Sequence, residues 1–403
     1  MKLTISNPMT IKPFLKAHTF FSIYNVVFML LLFGEFYTFG GKHIWPLSLC
    51  YFSFLMIYVI GFQLLKKQSI PASKFNFQVL LYPLIIFSLS LIGFHLISIG
   101  GSPAFEGLEM MKTSEVNIHR KEIGIRAHVV WRYISSINIK AILPFTLLLL
   151  LITKRKMYWF VFFAGLFYTF SLMQKSHVLS FLMPVLLYSL FTKKWMFVFK
   201  YTMSIALIIV GLVFVSNPPL HGGENDLKEA SSESIKVQEE SAFQKISSGL
   251  LKRVFILPGK MVGNWFEIIP EHKPFLEGKG YRTYCKIMQQ EYHDYNLELY
   301  PVIYPDYAEK GVRGSVNAAH FMRGYSNFGN IGLTQSGAFL AIVFLVMNIL
   351  FKNTGIEMKL TLNLFPIFLL SSGSLTTILF SGGWGIVMVL FWVFKKELDE
   401  KHE

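Results

Sequence analysis

Long apolar runs separated by short polar connections recur along the whole chain. Each run is about 16 to 24 residues long, and a helix of about 20 apolar residues crosses the hydrocarbon core of a bilayer. The pattern therefore predicts an all-α, polytopic integral membrane protein. The ten predicted transmembrane helices lie at residues 19–39, 44–64, 77–99, 133–153, 157–173, 177–192, 195–215, 331–351, 360–378 and 380–395.

One long polar segment divides the predicted helices into two groups. Residues 1–216 hold the first seven helices and a polar loop at about 100–132, residues 217–330 form one large loop, and residues 331–403 hold the last three helices and a tail. Within the large loop, the stretch SGLLKRVFILPGKMVGNWFEIIP mixes apolar side chains with Lys and Arg. This mixture predicts short helices that lie along the membrane surface.

Lys and Arg side chains cluster in alternate connections, and such clusters stay in the cytoplasm when they flank a transmembrane helix. With ten helices, all of the clusters fall on one side, which predicts cytoplasmic N- and C-termini. Both long loops then lie on the outer face, and the first helix is expected to be an uncleaved signal anchor. The clusters are Lys2, Lys12, Lys16, Lys66, Lys67, Lys154, Arg155, Lys156, Lys193, Lys194, Lys352, Lys359, Lys395 and Lys396.

Composition agrees with a membrane protein, since 53% of the residues are hydrophobic, 15% are charged and the mean hydropathy is +0.47. The net charge of +14 follows largely from the predicted cytoplasmic clusters, so no nucleic-acid partner is expected. The chain has two cysteines, Cys50 in a predicted helix and Cys285 in a predicted outer loop, and we expect no disulfide between them. No metal site and no cofactor are predicted, because neither metal-ligand spacing nor a nucleotide-binding glycine loop is present.

A polar stretch, SVNAAHFMRGYSNFG, immediately precedes the eighth predicted helix. Asn317, His320, Arg323 and Asn327 are spaced three, three and four residues apart, so they would form one stripe on a helix. An arginine facing lipid costs about 2.5 to 3.5 kcal/mol at the bilayer centre and less near the interface. We therefore expect the stripe to face a cavity or a ligand. In the alternative, Arg323 reaches the headgroups and His320 is solvated.

Seven arginines lie on the predicted outer face, where their guanidinium groups could bind phosphate oxygens in a bidentate manner. Ion pairing with neighbouring acidic residues is the alternative for each of them. The seven are Arg120, Arg126, Arg132, Arg253, Arg282, Arg313 and Arg323.

Three stretches resemble oligosaccharide repeat unit polymerases of the Wzy type: KRVFILPGKMVGNWFEIIPEHKPFLEGKGY, SVNAAHFMRGYSNFGNIGL and LLSSGSLTTILFSGGWG. The resemblance implies a lipid-dependent glycosyltransferase of the bacterial cytoplasmic membrane, with a periplasmic or extracellular active face. In such enzymes a sugar hydroxyl attacks the anomeric carbon of the growing chain, and polyprenyl diphosphate leaves. The products are O-antigen and capsular or exopolysaccharide.

The resemblance and the charge pattern together suggest site residues. Arg253, Arg282 and Arg323 would surround the diphosphate, and His320 is the candidate base or orienting group. Candidate substrate contacts are Arg126, Arg132, Lys260, Tyr281, Arg313, Asn317, Tyr325 and Asn327. The implied partners are polyprenyl-diphosphate-linked oligosaccharides and membrane lipid, with a chain-length regulator and a flippase as further candidates. The alternatives are an O-antigen ligase, which has a similar layout, and a flippase or transporter of lipid-linked oligosaccharides.

Overall fold

The computed structural model describes residues 16–223, 251–309 and 314–399. It is 76% helical and has no strands in these ranges, which confirms the predicted all-α class. Six helical segments are long and apolar enough to cross a membrane: Thr19–Phe39, Ile44–Leu65, Phe77–Glu109, Val129–Ile152, Trp195–Val215 and Met322–Leu350. Three shorter helices, Tyr158–Ser171, Lys175–Phe191 and Trp384–Val393, are also apolar.

Two of the predicted helices near the C-terminus differ from the structure. The helix predicted at 331–351 begins at Met322, so part of the polar stretch is helical. The helix predicted at 360–378 is two helices, Ile356–Leu369 and Leu375–Leu379, separated by a turn. The turn contains the sequence SSGS, whose serines and glycine favour turns over helix interiors. A second turn precedes the helix Trp384–Val393, and Gly383 within it has a φ of +77°.

The chain forms two compact units. The described residues of the first unit come from 16–70, 251–352 and 366–378. Its helices are α1 (Thr19–Phe39), α2 (Ile44–Leu65), α11 (Leu257–Ile268), α12 (Arg282–Met288), α13 (Tyr295–Glu298), α14 (Tyr300–Ile303), α15 (Pro305–Glu309), α16 (Met322–Leu350) and α18 (Leu375–Leu379).

The second unit contains 71–223, 353–365 and 379–399 of the described chain. Its helices are α3 (Phe77–Ser98), α4 (Pro103–Glu109), α5 (Thr113–Arg126), α6 (Val129–Ile137), α7 (Leu143–Ile152), α8 (Tyr158–Ser171), α9 (Lys175–Phe191), α10 (Trp195–Val215), α19 (Trp384–Val393) and α20 (Lys395–Asp399). The helix α17 (Ile356–Leu369) passes from the second unit into the first at Pro366.

Buried aromatic rings hold α1, α2 and α16 together in the first unit. Tyr24, Phe54 and Phe344 are fully buried, and the Tyr24 and Phe344 ring centroids lie 4.7 and 5.7 Å from that of Phe54. Glycines permit closer contacts at another face of α1, since a Cβ on Gly34 would collide with the carbonyl of Ile256, directly before α11, and one on Gly259 would collide with the backbone of α1. Short helices were predicted in this stretch of the large loop, and α11 is one such helix, which packs against α1.

Two short π-helices, Asn138–Ile142 and Lys252–Ile256, have the same local cause. Pro144 and Pro258 follow them and lack the N–H group that would bond the carbonyl four residues earlier. The N–H of Leu143 donates to the carbonyl of Asn138, five residues back, and Leu257 donates to Lys252 in the same way. Each proline therefore explains a local widening of the helix, a feature that often lies at functional sites.

Candidate functional site

The helix α16 is interrupted near its beginning. Phe328 has a φ of −135° and a ψ of 17°, and Gly329 has a φ of 56° and a ψ of −137°, so neither residue is helical. The Gly329 conformation is one that glycine adopts without strain and that residues with a Cβ avoid. The short first part, 322–327, is therefore set apart from the long apolar part of α16.

A loop at 276–281 covers the end of this short first part. The N–H groups of Leu276 and Glu277 donate to the carbonyls of Ser326 and Asn327 at 2.9 and 3.0 Å. The helix is interrupted directly after these carbonyls, at a place where helix ends commonly take partners from outside the helix. The loop thus satisfies the exposed helix end and is held against the residues that precede the interruption.

Asn327 fixes the same loop through its side chain. Its Oδ1 accepts hydrogen bonds from the N–H groups of Gly278 and Gly280 at 3.1 and 2.9 Å, and its Nδ2 donates to the carbonyl of Arg323 at 2.7 Å. A Cβ on Gly280 would lie 2.5 Å from Asn327 Nδ2, so the close approach requires glycine there. With an exposed fraction of 1%, Asn327 acts as an internal bracket for the loop.

Arg323 is held by the loop that Asn327 positions. Its Nε and Nη2 donate to the carbonyl oxygen of Gly280 at 3.1 and 2.7 Å, and its guanidinium lies 5.1 Å from the ring centroid of Tyr281. Burial raises the pKa of Tyr281, although the charge of Arg323 acts in the opposite direction. No carboxylate of the described residues lies within ion-pair distance of Arg323, so its positive charge is oriented but not neutralised.

His320 lies directly before this segment and is almost fully buried, with an exposed fraction of 3%. Its N–H donates to the carbonyl of Leu370 at 2.8 Å, and its Nε2 lies 2.9 Å from the hydroxyl of Tyr24 in α1. Its Nδ1 has no partner within the described part of the chain. Burial lowers the pKa of His320 to about 3, so the imidazole is neutral at neutral pH.

A cavity of about 70 Å³ connects these groups. Its polar lining comes from Tyr281, His320, Arg323, Ser336, Ser374 and Thr376. Hydroxyl groups, one imidazole and one guanidinium supply mainly hydrogen-bond donors and one positive charge. The arrangement suits a few water molecules or an anionic group with several oxygen atoms.

A larger groove of about 400 Å³ contains two other predicted residues, Arg253 and Asn317. One part of its lining is apolar and includes Val27, Leu30 and Met261, whereas Ser371 and Ser372 add hydroxyl groups. Arg253 is exposed. A surface of this composition can contact an apolar chain and a polar headgroup side by side.

The predicted polar stripe is therefore wrong as a feature of one helix. Residues 314–319 are not helical, and Asn317 and His320 precede the first residue of α16. Asn317 lines the larger groove, and His320 and Arg323 line the smaller cavity. The backbone bond from His320 to Leu370 holds this stretch outside the helix, and helical spacing alone could not reveal such a contact.

The other predicted residues of the first unit occupy different environments. The Tyr325 hydroxyl donates to the carbonyl of Ile269 at 2.8 Å and is used within the fold. Arg282 lies over the ring of Tyr292 at 4.9 Å, and Lys260 is exposed on α11. Arg313 lies outside the described residues. The proposed diphosphate set is thus distributed, with Arg323 at the small cavity, Arg253 at the groove and Arg282 lining neither.

Among the predicted arginines of the second unit, Arg126 has an identified ion-pair partner. Arg126 Nη1 lies 2.7 Å from Glu106 Oε2, and its Nη2 lies 3.1 Å from His119 Nδ1. This ion pair is the alternative that the abundance of acidic residues suggested. Arg132 lies in α6 and is partly buried.

Sequence reasoning missed several groups of the first unit. Tyr24 lies within an apolar run, and nothing in its neighbourhood signals a contact with a histidine 296 residues away. The hydroxyls of Ser336, Ser374 and Thr376 were also missed. The stretch EGKGY did carry a signal, since its two glycines flank a lysine within a polar loop.

Comparisons with protein-family models, with curated proteins and with solved structures gave no significant match to this chain.

Proposed function

We propose that the protein polymerises polyprenyl-diphosphate-linked oligosaccharide repeat units at the outer face of the bacterial cytoplasmic membrane. A sugar hydroxyl of one unit would attack the anomeric carbon of the growing chain, the C–O bond to the diphosphate would break, and the hydroxyl proton would pass to the departing diphosphate. The observation that carries this proposal is the Arg323 guanidinium, which is held on the Gly280 carbonyl and has no carboxylate partner among the described residues.

Arg323 suits the departure of a diphosphate. The leaving group gains negative charge as the anomeric C–O bond breaks, and a preoriented guanidinium stabilises that charge without having to move. A diphosphate departs without a strong proton donor, so positive charge matters more here than an acidic group with a raised pKa. Tyr281 covers one face of the guanidinium, which limits the directions from which the diphosphate can approach.

His320 suits an orienting role better than that of a general base. An efficient base has a pKa near the working pH, whereas burial lowers the pKa of His320 to about 3. The neutral ring can still hold a hydroxyl or a phosphate oxygen by a hydrogen bond. The Tyr24 hydroxyl, 2.9 Å from Nε2, fixes the direction of the ring.

The larger groove supplies a second element of the proposal. Its apolar residues would contact the first isoprene units of the carrier, and Arg253 and Asn317 would contact the polar group that follows them. Arg282 and Lys260 remain candidates for the sugar or for the surrounding headgroups.

For the membrane arrangement, we propose ten crossings with both termini in the cytoplasm. The three shorter apolar helices, together with α17 and α18 at the predicted span 360–378, complete the six long ones. Labelling of single cysteines tests this arrangement, and the native Cys50 and Cys285 are both buried. Met288→Cys is expected to react with an impermeant maleimide in intact cells. Lys193→Cys is expected to react only after permeabilisation. Equal reactivity of both positions in intact cells would contradict the topology.

The function itself is tested with purified protein in liposomes that contain lipid-linked repeat units. The expected product is a ladder of longer lipid-linked chains. A protein that only transports its substrate leaves single units unchanged, and a ligase requires a separate acceptor. In cells, loss of a polymerase leaves single repeat units on the surface, whereas loss of a ligase leaves polymer on its lipid carrier.

A further inference from the structure

A tyrosine–histidine pair, Tyr24 and His320, joins α1 to the stretch that precedes α16. The Tyr24 hydroxyl lies 2.9 Å from His320 Nε2, and the two ring centroids are 5.6 Å apart with an interplanar angle of 63°. The exposed fraction is 0% for Tyr24 and 3% for His320. Because both rings are buried, the other polar groups around them decide which of the two atoms carries the shared hydrogen.

The surroundings of Tyr24 make its hydroxyl the donor. Its ring packs against Phe28, Phe54 and Phe344, with centroid distances of 6.1, 4.7 and 5.8 Å. Across the part of the chain that the structure describes, this hydroxyl has no hydrogen-bond partner except His320 Nε2, and Tyr24 lines neither of the two cavities described above. A buried hydroxyl hydrogen without an acceptor costs free energy. The Tyr24 hydroxyl therefore donates, and Nε2 accepts.

This direction fixes the tautomer of His320. A neutral imidazole carries one hydrogen, so a ring whose Nε2 accepts a hydrogen bond has its hydrogen on Nδ1. Nδ1 is buried, has no partner among the described residues, and belongs to a side chain that lines the cavity of about 70 Å³ together with Arg323. The opposite tautomer would leave the Tyr24 hydrogen without an acceptor. The Nδ1–H tautomer leaves only a donor that a molecule in the cavity can satisfy.

The other polar groups of this cavity define what Nδ1–H can bind. Arg323 can only donate, and it adds a positive charge. Ser336 already donates its hydroxyl hydrogen to the carbonyl of Gly332 at 2.7 Å, and the Ser374 hydroxyl lies 2.7 Å from that of Thr377. No carboxylate lines this cavity within the described ranges. A ligand that satisfies Nδ1–H and the guanidinium together must supply acceptor oxygens, and a phosphate group supplies several.

We infer that Tyr24 is a positioning residue, whose hydroxyl donates to His320 Nε2 and thereby makes Nδ1–H a hydrogen-bond donor to a phosphate oxygen of the substrate. The inference rests on the proposed function for the identity of the substrate, whereas the tautomer follows from the contacts of the two rings. Because Nδ1 already carries a hydrogen, it does not take up the proton of the attacking hydroxyl. Tyr24 acts only through the imidazole, since it does not line the cavity.

The tautomer is measured by ¹⁵N NMR of the purified full-length protein, labelled in its histidines, in detergent and without substrate. A protonated and an unprotonated ring nitrogen have different shifts, and their couplings to the ring C–H groups distinguish Nδ1 from Nε2. The chain has 11 histidines, and the signal that disappears in His320→Asn belongs to His320. We expect the hydrogen on Nδ1 in the wild type and a shift towards the Nε2–H form in Tyr24→Phe. A wild-type ring with its hydrogen on Nε2 overturns the inference.

Chain extension in liposomes tests what the tautomer does. We expect Tyr24→Phe to lower kcat/KM by about tenfold, because Nδ1–H is then no longer held as the donor to a charged group. His320→Asn places an amide nitrogen as many bonds from Cβ as Nδ1, and His320→Gln places one as many bonds from Cβ as Nε2. His320→Asn should therefore be the more active of the two.

A double variant separates positioning from a structural role. In the His320→Asn protein, the further change Tyr24→Phe should lower kcat/KM by less than about twofold, because the imidazole through which Tyr24 acts is absent. A tyrosine that only stabilised the fold would lower it by about tenfold again, and that result overturns the inference.

Tyr51→Phe is the matched control. The Tyr51 hydroxyl donates to Asn25 Oδ1 at 2.8 Å between α2 and α1, and its ring stacks on that of Phe28. This variant should keep the wild-type tautomer and rate, and thermal unfolding compares its stability with that of Tyr24→Phe. Equal losses of rate in the two variants overturn the inference. Wild-type protein that extends no chains refutes the polymerase function instead, and the NMR measurement still decides whether Tyr24 sets the tautomer.

Discussion

Arg126 and Arg323 look alike in the sequence, but their surroundings differ in one decisive respect. Arg126 in the second unit forms an ion pair with Glu106 at 2.7 Å. Arg323 in the first unit donates two hydrogen bonds to one carbonyl oxygen and lies over an aromatic ring. A carbonyl orients a guanidinium without cancelling its charge, whereas a carboxylate does both. The charge of Arg323 therefore remains available to an anionic ligand.

The largest expected effect comes from removing Arg323. We expect Arg323→Ala to lower the rate of chain extension by about 100-fold or more, which is the usual consequence of deleting a group that stabilises charge in a transition state. Arg126→Ala is expected to change the rate by less than about threefold, because its charge already has a partner. The measurement is the extension of lipid-linked repeat units by purified protein in liposomes.

Arg323→Lys provides the matched variant for this experiment. Lysine keeps the charge but cannot reproduce the paired Nε and Nη2 bonds to the Gly280 carbonyl oxygen or the stacking on Tyr281. We expect an intermediate rate with normal thermal unfolding. Equal losses for Arg126→Ala and Arg323→Ala would remove the distinction between the two arginines.

The next effect concerns the bracket that positions Arg323. Asn327→Ala deprives the N–H groups of Gly278 and Gly280 and the carbonyl of Arg323 of a partner. Each buried unsatisfied group costs about 1 to 3 kcal/mol, so we expect a loss of about 3 kcal/mol in unfolding free energy. Asn330→Ala, at an exposed position of the same helix, is the control and should change stability by less than about 0.5 kcal/mol. Equal unfolding curves for the two variants would contradict the bracket.

The bracket also shows where sequence reasoning succeeds and where it stops. The predicted helices at 19–39 and 195–215 coincide with Thr19–Phe39 and Trp195–Val215. A long apolar run in a bilayer forms a helix because the helix satisfies its own backbone hydrogen bonds. The stretch around Arg323 was also predicted to face a cavity or a ligand, and His320 and Arg323 do line the smaller cavity. Its geometry was not predicted, because the bond from His320 to Leu370 and the interruption at Gly329 depend on tertiary contacts.

The same limit applies to the roles of individual residues. Asn327 was predicted to contact substrate; in the structure its Oδ1 accepts hydrogen bonds from Gly278 and Gly280, and its Nδ2 donates to the carbonyl of Arg323. Arg126 was predicted as a phosphate contact, and its ion pair depends on Glu106, twenty residues earlier on another helix. The charged residues in the sequence are a set of candidates for ligand binding. Only the partners of each side chain show whether it stabilises the fold or has a charge available to a ligand.

The pH dependence of unfolding tests whether His320, which lines the same cavity as Arg323, is neutral. Burial lowers the pKa of His320 to about 3, below its value of about 6.5 in an unfolded chain. The unfolded state therefore binds the extra proton first, so this contribution to stability is fully present above pH 6.5 and is lost as the pH falls towards 3. The slope approaches about 1.4 kcal/mol per pH unit within that window.

His320→Gln should remove this part of the slope, while His272→Gln, at an exposed position, should keep it. Unfolding in detergent between pH 7 and pH 5 provides the measurement. A wild-type slope that persists in His320→Gln would show that His320 is not the group responsible.

The smallest expected effect is the change in unfolding free energy when the Arg126–Glu106 ion pair is removed. The pair is partly exposed, with side-chain exposures of 32% and 37%, so water and salt weaken the attraction. We expect Arg126→Gln and Glu106→Gln each to lower the unfolding free energy by at most about 1 kcal/mol. The double variant should be at least as stable as the less stable of the two single variants, because the second change leaves no charge unpaired. Raising the ionic strength should reduce the difference from wild type. A coupling between the two side chains above about 2 kcal/mol would contradict a weak, solvent-screened ion pair. A large loss of chain extension in Arg126→Gln would mean that Arg126 has a role beyond its pair with Glu106.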